Sequence, residues 1–149
     1  MVAAAYSMPD LLLVEDNAND IMVALRAFRL RGLEHRVKVL RDGAEALDYL
    51  TGGGLEDGDE PPPLPKVVLL DLRMPRVDGR AVLLHMRADE RMRKVPVVIV
   101  SSSQAESDIR DCYRLGANSF VVKSVDAKRP GEYLVDVARY WLNLNRVPH

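Results

Sequence analysis

Short runs of apolar residues alternate with longer amphipathic stretches along this chain of 149 residues. Five of these runs have the length of β-strands, at residues 11–14, 37–39, 67–70, 97–100 and 120–122. After each run, apolar residues recur every three or four positions, which is the spacing of one helix face. The helices predicted in this way cover residues 18–31, 43–51, 79–88, 103–115 and 132–145. The pattern therefore predicts five consecutive strand–helix units.

Strands that are apolar throughout are typical of a parallel sheet whose two faces are both covered by helices. Because strand–helix–strand crossovers are right-handed, few arrangements of five such units remain. We expect an α/β fold: a flavodoxin-like, doubly wound, five-stranded parallel sheet with strand order 2-1-3-4-5. Residues 52–65 contain three consecutive glycines and four prolines. This segment predicts a surface loop inside a single domain that spans residues 1–149.

Polar residues and glycines mark the expected ends of several helices. Asp42 and Ser103 are each followed three positions later by Glu, the spacing of a capping box, and Ser103 is the expected N-cap of its helix. Gly116 is expected to end that helix. Asp78 and Gly79 form a dipeptide typical of a turn.

Charge and composition narrow the classes of partner. The formal net charge is -1, whereas a nucleic-acid-binding domain is usually basic, so we expect no nucleic-acid partner. The single cysteine excludes an internal disulfide, as is common in a reducing cytosol. No apolar run approaches the ~18 residues that span a bilayer, and the first eight residues lack the features of a signal peptide. We therefore expect a cytoplasmic protein without a membrane partner.

The polar residues at the strand ends predict one site. In this type of sheet, ligands bind outside the carboxyl ends of the strands, where the strand order reverses between the first and third strands. Glu15 and Asp16 follow the first strand and Asp71 follows the third, while Ser101 and Lys123 follow the fourth and fifth. Each residue alone could belong to an ordinary turn or helix start. Together, at one edge of one sheet, they indicate a shared function.

Three carboxylates in one crevice favour metal-assisted phosphoryl chemistry. They repel one another unless a cation lies among them. A cluster of oxygen ligands without His or Cys favours Mg²⁺, with Mn²⁺ as a substitute. Phosphoryl transfer mainly requires positioning and neutralisation of charge, which the metal, Lys123 and Ser101 would supply. Asp71 could then act as the nucleophile and carry an aspartyl phosphate.

Four segments of the chain resemble the response regulator receiver family of two-component signalling. They are LLVED at 12–16, LLDLRMP at 69–75 with Asp78-Gly79, VPVVIVS at 95–101 and GANSFVVK at 116–123. The resemblance implies that Asp71 is the phosphoacceptor and that Glu15, Asp16, Asp71 and the backbone carbonyl of Arg73 bind Mg²⁺.

The same resemblance assigns the phosphoryl-binding and switch residues. Ser101 and Lys123 match the residues that bind the phosphoryl group, and Ser101 and Phe120 match the pair that switches conformation. The expected function is that of a signalling switch rather than an enzyme, although it promotes phosphoryl transfer to its own Asp71 and hydrolysis from it. The donor would be a sensor histidine kinase and the output a separate partner.

Two features are similar to the single-domain regulators that partner bacterial phytochrome histidine kinases. They are the proline-rich loop and the final helix with Tyr140, Trp141 and Leu142. A bacterial phytochrome is therefore the expected kinase. Only residues 146–149 follow the final helix, so no output domain is expected, and a phosphorelay intermediate or a phosphate sink are alternative roles.

Two positions bear on how closely this chain follows the usual receiver pattern, namely Ser124 and Arg73. Many receivers have a cis proline after the lysine, whereas Ser124 follows Lys123 here. A cis bond would cost about 3–4 kcal/mol, and a trans bond would put the placement of Lys123 in question. Arg73 lies two residues after Asp71, where its long cation could hinder the attacking water; the sequence does not decide this.

Other classes of protein fit the sequence less well. A haloacid-dehalogenase-type phosphatase would need a second Asp two residues after the nucleophile, where this chain has Arg73. A flavodoxin needs a phosphate-binding loop rich in Ser, Thr and Gly after the first strand, where Glu15 and Asp16 would repel phosphate. A degenerate receiver that acts only by binding would not need Asp71, Ser101 and Lys123 intact.

The final helix carries more apolar surface than one buried face requires. Its two neighbouring apolar stripes are Leu134, Ala138, Trp141 and Asn145, and Tyr133, Val137, Tyr140 and Leu144. One stripe suffices to cover the sheet edge, and an exposed apolar patch usually marks an interface. We therefore expect a homodimer formed through the last strand–helix region.

Overall fold

The apolar runs form one parallel five-stranded sheet with the order β2-β1-β3-β4-β5, which confirms the predicted fold class. The structure is a computed structural model that describes residues 9–53, 58–124 and 126–148. The strands are β1 (Leu11–Val14), β2 (Val37–Leu40), β3 (Val67–Asp71), β4 (Val97–Ser101) and β5 (Ser119–Val122). The helices are α1 (Ala18–Leu30), α2 (Gly43–Thr51), α3 (Gly79–Ala88), α4 (Glu106–Arg114) and α5 (Glu132–Arg139).

The two faces of the sheet carry separate hydrophobic clusters, which explains why the central strands are apolar at every position. Alternate residues of β1, such as Leu12 and Val14, pack with α2, α3 and α4. The intervening residues Leu11 and Leu13 pack with α1 and α5. Because successive side chains of a strand point to opposite faces, only a strand without polar positions can serve both clusters.

Several predicted helix ends are confirmed, and two expectations were wrong. Asp42 caps α2 by accepting a hydrogen bond from the backbone of Glu45 at 2.7 Å, and Gly116 follows α4 with a φ of 106°. Ser103 is not the N-cap of α4, which begins after Ala105, because the Ser103 hydroxyl is bonded to Asp108 instead.

The second wrong expectation concerns Asp78 and Gly79. They do not form a separate turn: Asp78 is the N-cap of α3 and accepts a hydrogen bond from the backbone of Ala81 at 3.0 Å, and Gly79 is the first residue of that helix. The short carboxylate side chain of an extended residue can reach the free N–H groups at the start of a helix. Asp78 therefore caps α3 instead of forming a turn with Gly79.

The final helix departs from its predicted form near its end. After Arg139 the chain continues as one π-helical turn, Tyr140–Leu144, in which the N–H of Asn145 donates to the carbonyl of Tyr140 at 2.7 Å. This wider turn keeps Leu142 in the core and leaves Leu144 in solvent.

The predicted proline-rich loop contains no helix or strand in the parts that the structure describes; residues 54–57 lie outside them. Arg91 donates side-chain hydrogen bonds to the carbonyls of Leu50 and Pro62, which ties this loop to the end of α2. No helix among residues 9–53, 58–124 and 126–148 has the length and apolar character to cross a bilayer.

Gly79 lets α3 approach the backbone of β3 closely. A Cβ atom at Gly79 would lie 2.3 Å from the carbonyl oxygen of Asp71 and 2.8 Å from the Cα of Leu72. Both contacts are with backbone, which cannot move aside as a flexible side chain would. We expect Gly79→Ala to lower the free energy of unfolding by about 2 kcal/mol or more, measured by urea denaturation.

The exposed residue Ala81 of the same helix provides the control for that prediction. Ala81→Ser should change the free energy of unfolding by no more than about 0.5 kcal/mol. Equal stability of Gly79→Ala and the wild type would contradict the close approach between α3 and the end of β3.

Candidate functional site

The ends of β1 and β3 bring three carboxylates together. The two strands are neighbours in register, with Val14 opposite Leu70, so Glu15 and Asp71 follow at the same level of the sheet. Glu15 and Asp71 are buried, and Asp16 is exposed beside them. One oxygen from each of the three side chains lies within 4.8 Å of the others. The convergence expected from the strand order is therefore present.

Lys123 extends from the end of β5 into the same group of carboxylates. Its Nζ atom lies 2.7 Å from Glu15 Oε1, 2.8 Å from Asp20 Oδ2 and 3.7 Å from Asp71 Oδ2. All described peptide bonds are trans, including the one between Lys123 and Ser124. Lys123 thus reaches the carboxylates from a trans peptide.

The charges of Asp71 and Lys123 respond in opposite ways to this environment. Burial and the neighbouring Glu15 carboxylate raise the pKa of Asp71 to about 7, although Lys123 and the backbone of Arg73 act in the other direction. Burial disfavours the charge of Lys123, but its hydrogen bonds to Asp20 and Glu15 outweigh that effect and raise the pKa of its ammonium. Without a further cation, the site therefore holds more negative charge than Lys123 balances.

Ser101 is the last residue of β4 and is almost completely buried. Its backbone carbonyl accepts a hydrogen bond from the N–H of Lys123 at 2.8 Å, and its hydroxyl accepts one from the N–H of Ser103 at 3.1 Å. It opens onto a crevice of about 220 Å³. The crevice is lined by Glu15, Asp16, Asn17, Asp20, Asp71, Arg73, Ser101, Ser102 and Lys123.

The other two predicted residues, Phe120 and Arg73, occupy different surroundings. Phe120 lies opposite Ile99 in the sheet and packs, half-buried, against the cluster formed with α2, α3 and α4, outside the crevice lining. Arg73 is one of the residues that line the crevice; its side chain is exposed, and its guanidinium contacts Asp108 at 3.2 Å. The ligand role of the Arg73 carbonyl stays a prediction.

Two charged residues near the site were missed by the sequence reasoning. Asp20 lies in the first turn of α1, which begins beside the crevice, so its position one turn after Asp16 was the available signal. Asp108 occupies a buried position of α4 one turn before the buried Cys112. A carboxylate on the apolar face of a helix was the signal for that residue.

The raised pKa of Asp71 predicts a pH-dependent cost in stability. Its folded-state pKa of about 7 exceeds its ordinary value of 3.8, so the folded state favours the protonated form. The stability that this group contributes is therefore present below pH 3.8 and is lost as the pH rises through about 7. In EDTA at pH 8, Asp71→Asn should have a free energy of unfolding roughly 1–3 kcal/mol above that of the wild type.

Urea denaturation of both proteins between pH 4 and pH 8 measures this difference, which should shrink toward the acid end. The exposed residue Glu90, which follows α3, supplies the control, because Glu90→Gln should change stability little at either pH. A wild type that is as stable as Asp71→Asn at pH 8 in EDTA would show that the crevice does not penalise the Asp71 charge.

Comparison with known proteins agrees with this geometry. Residues 11–133 match the family described as the response regulator receiver domain. The probable methanogenesis regulatory protein FilR2 of Methanothrix harundinacea (strain 6Ac) is 40% identical over 141 residues, which cover 93% of this chain and 86% of that protein. The response regulator Rcp1 of Synechocystis sp. is 30% identical over 138 residues, which cover 93% of this chain and 92% of that protein.

Two solved structures share both the fold and a detectable part of the sequence. The phosphorylated cyanobacterial phytochrome response regulator RcpA has a TM-score of 0.81 at 32% identity, covering 96% of this chain and 100% of that chain. The Mn²⁺-bound form of Rcp1 has a TM-score of 0.79 at 28% identity, covering 95% of this chain and 100% of that chain. The match over residues 11–133 and the identity with these relatives show that the chain belongs to the response regulator receiver family.

Proposed function

We propose that this protein is a phosphorylation switch that accepts a phosphoryl group from a sensor histidine kinase on Asp71 and signals to a separate partner. The observation that carries the proposal is the crevice itself. A buried carboxylate, Asp71, shares it with the ammonium of Lys123 and the hydroxyl of Ser101. A nucleophile thus lies beside two groups that can bind phosphoryl oxygens, which is the arrangement that phosphoryl transfer requires.

The residues present fit a divalent cation. Glu15, Asp16 and Asp71 offer only carboxylate oxygens within 4.8 Å of one another, a donor set that suits Mg²⁺ or Mn²⁺. Lys123 brings one positive charge to these carboxylates, with its Nζ atom 2.7 Å from Glu15 and 3.7 Å from Asp71. The three carboxylates, together with the backbone carbonyl of Arg73, would hold the ion. A bound Mg²⁺ would supply charge neutralisation at the phosphoryl oxygens.

The chain's own residues would then perform the transfer. A carboxylate oxygen of Asp71 attacks the phosphorus of a phosphohistidine, the new P–O bond forms, and the P–N bond breaks with its electrons left on the histidine. Lys123 and Ser101 bind the transferred oxygens. We propose that Ser101 moves toward the phosphoryl group and that Phe120 occupies the space released, which would alter the surface formed by α4 and β5. Such coupling requires that the phosphoryl group interact differently with the two conformations.

The surroundings of Arg73 support a switch over a phosphatase. In a haloacid-dehalogenase-type enzyme, a carboxylate two residues after the nucleophile would exchange protons with the substrate. Arg73 holds that position here, and a guanidinium stays protonated at physiological pH and cannot serve as a base. Hydrolysis of the acyl phosphate would therefore be the switch's own reset, and phosphorelay or phosphate-sink roles are alternative outputs of the same chemistry.

We further propose a bacterial phytochrome as the kinase. The support is the similarity to RcpA, whose structure is that of a phytochrome response regulator, over 96% of this chain. FilR2, at 40% identity, is a probable methanogenesis regulatory protein, so membership of the family alone does not fix the input. The test is phosphoryl transfer to this protein from a purified phytochrome kinase, compared with transfer from a histidine kinase that lacks the chromophore-binding domain. Faster transfer from the phytochrome kinase would support the proposal, and faster transfer from the other kinase would contradict it.

Phosphorylation of Asp71 should require both the carboxylate and a divalent cation. With acetyl phosphate and Mg²⁺, the wild type should acquire acid-stable, base-labile label, whereas Asp71→Asn or added EDTA should reduce labelling by at least about tenfold because the nucleophile or the neutralising charge is lost. Asp136→Asn, which changes an exposed carboxylate on α5, should label like the wild type. Undiminished labelling of Asp71→Asn would refute the assignment.

We also propose that the protein forms a homodimer through β5 and α5. The core-facing residues of α5, such as Leu134 and Ala138, are buried, whereas Tyr140 is 48% exposed and Leu144 is 72% exposed. Beside them lies a groove lined by Val121, Val137, Tyr140 and Trp141 with a polar rim of Asn118, Ser119 and Asp136. An apolar patch with a polar rim is typical of an interface, and pairing of a patch with its own copy is the commonest arrangement.

The dimer should depend on the aromatic side chains of the π-helical turn that follows α5. The Tyr140 and Trp141 rings contact each other edge-to-face at 5.1 Å, so either truncation removes part of one aromatic surface. Tyr140→Ala and Trp141→Ala should each raise the dimer dissociation constant at least roughly tenfold, measured by sedimentation with and without phosphorylation.

Leu84 provides the matched control for the dimer because it is an exposed apolar side chain of α3, on the other side of the sheet from α5. Leu84→Ala should sediment like the wild type. A wild type that is monomeric at micromolar concentration in both states would refute the dimer. Unchanged dimerisation in both aromatic variants would exclude this face of α5 as the interface.

A further inference from the structure

A buried carboxylate on α4, Asp108, connects the mouth of the crevice to two other elements. Arg80 of α3 donates to Asp108 Oδ1 at 2.6 Å, Arg73 donates to Oδ2 at 3.2 Å, and the Ser103 hydroxyl donates to the same Oδ2 atom. Neither oxygen of Asp108 is therefore without a donor. None of these contacts is needed for the phosphoryl transfer described above.

The partners of Asp108 differ in how firmly they are held. The Arg80 side chain is two-thirds buried and also approaches Asp111, and Ser103 belongs to the short segment that begins at Ser101. The Arg73 side chain is 74% exposed and meets Asp108 at its edge, with a longer contact than Arg80 makes. Two guanidiniums and one hydroxyl donate to Asp108, a set of donors that suits a carboxylate anion.

Once Asp71 is phosphorylated, the phosphoryl group is a second anion near Arg73, in addition to Asp108. Arg73 lines the same crevice as Asp71, from which it is separated by a single residue. A phosphoryl group brings about 1.5 to 2 negative charges at neutral pH, which attracts a guanidinium strongly. Asp108 and the phosphoryl group then compete for the guanidinium of Arg73.

We propose, on the basis of the function proposed above, that Asp108 is a positioning residue that sets the lifetime of the phosphorylated state by holding Arg73 away from the mouth of the crevice. In hydrolysis, a water oxygen forms a bond to phosphorus opposite Asp71, the bond from phosphorus to the Asp71 oxygen breaks, and its electrons restore the carboxylate. The water protons pass to inorganic phosphate and solvent. A guanidinium over the phosphoryl group occupies the path of that water and cannot accept its proton.

Removing the charge of Asp108 should therefore slow dephosphorylation. With Asp108→Asn, the half-life of the label on Asp71 in the presence of Mg²⁺ should lengthen by roughly threefold or more, the effect of releasing one ion pair. Asp111→Asn is the matched control, because Asp111 lies one turn further along α4 and pairs with Arg80 and Arg114 but not with Arg73. Its half-life should equal that of the wild type.

A double-mutant cycle with Arg73→Met distinguishes this role from a structural one. If Asp108 acts through Arg73, Asp108→Asn should not change the half-life in a protein that already carries Arg73→Met. The ¹⁵N signal of the Arg73 side chain should also shift on phosphorylation, and shift further with Asp108→Asn. A lengthened half-life that persists in the double variant would overturn the proposal.

Arg73→Met changes only an exposed side chain and leaves Asp108 and α4 unaltered. It therefore tests the role of Arg73 even if Asp108→Asn disturbs α4. Its half-life should equal or fall below that of the wild type, and a longer half-life would mean that Arg73 promotes hydrolysis, which contradicts the proposal. Equal half-lives of labelled wild type and Asp108→Asn would refute this inference alone. Absence of label from the wild type would instead refute the proposed function.

Discussion

Repulsion among three carboxylates is the constraint on which the site depends. Glu15, Asp16 and Asp71 place oxygens within 4.8 Å of one another, and two of these side chains are buried. In that environment Lys123 offsets part of the negative charge, and burial together with the neighbouring Glu15 carboxylate raises the pKa of Asp71. The same imbalance that makes the resting site unfavourable favours the binding of a divalent cation.

The sheet can hold such a site because both faces of its central strands are packed with apolar side chains. Strands β1 and β3 are apolar on both faces and lie between two helix layers, so the ends of these strands cannot move apart to relieve the repulsion. Gly79 brings the start of α3 against the backbone of Asp71. Asp71 is therefore fixed by backbone packing, whereas Lys123 reaches it with a longer side chain.

The ion pairs around Asp108 show how the site is joined to the rest of the receiver. The Ser101 hydroxyl accepts a hydrogen bond from the N–H of Ser103, and the Ser103 hydroxyl donates one to Asp108. Asp108 also pairs with Arg73, in the connection between β3 and α3, and with Arg80 of α3. A movement of Ser101 or Arg73 would therefore alter the hydrogen bonds of Asp108 in the first turn of α4. These contacts connect the crevice physically to the first turn of α4.

The sequence by itself determined the strand order, the crevice and its main residues, because these follow from local apolar periodicity and from which residue ends each strand. Periodicity even placed β1, α2 and α3 at their observed bounds. Only the tertiary structure decided the partners of side chains, since these depend on residues far apart in the chain. Lys123 meets Asp20 across 103 positions, and Asp108 meets Arg73 across 35. Ser103 illustrates the difference: its spacing predicted a helix cap, but a buried carboxylate supplied a stronger partner for its hydroxyl.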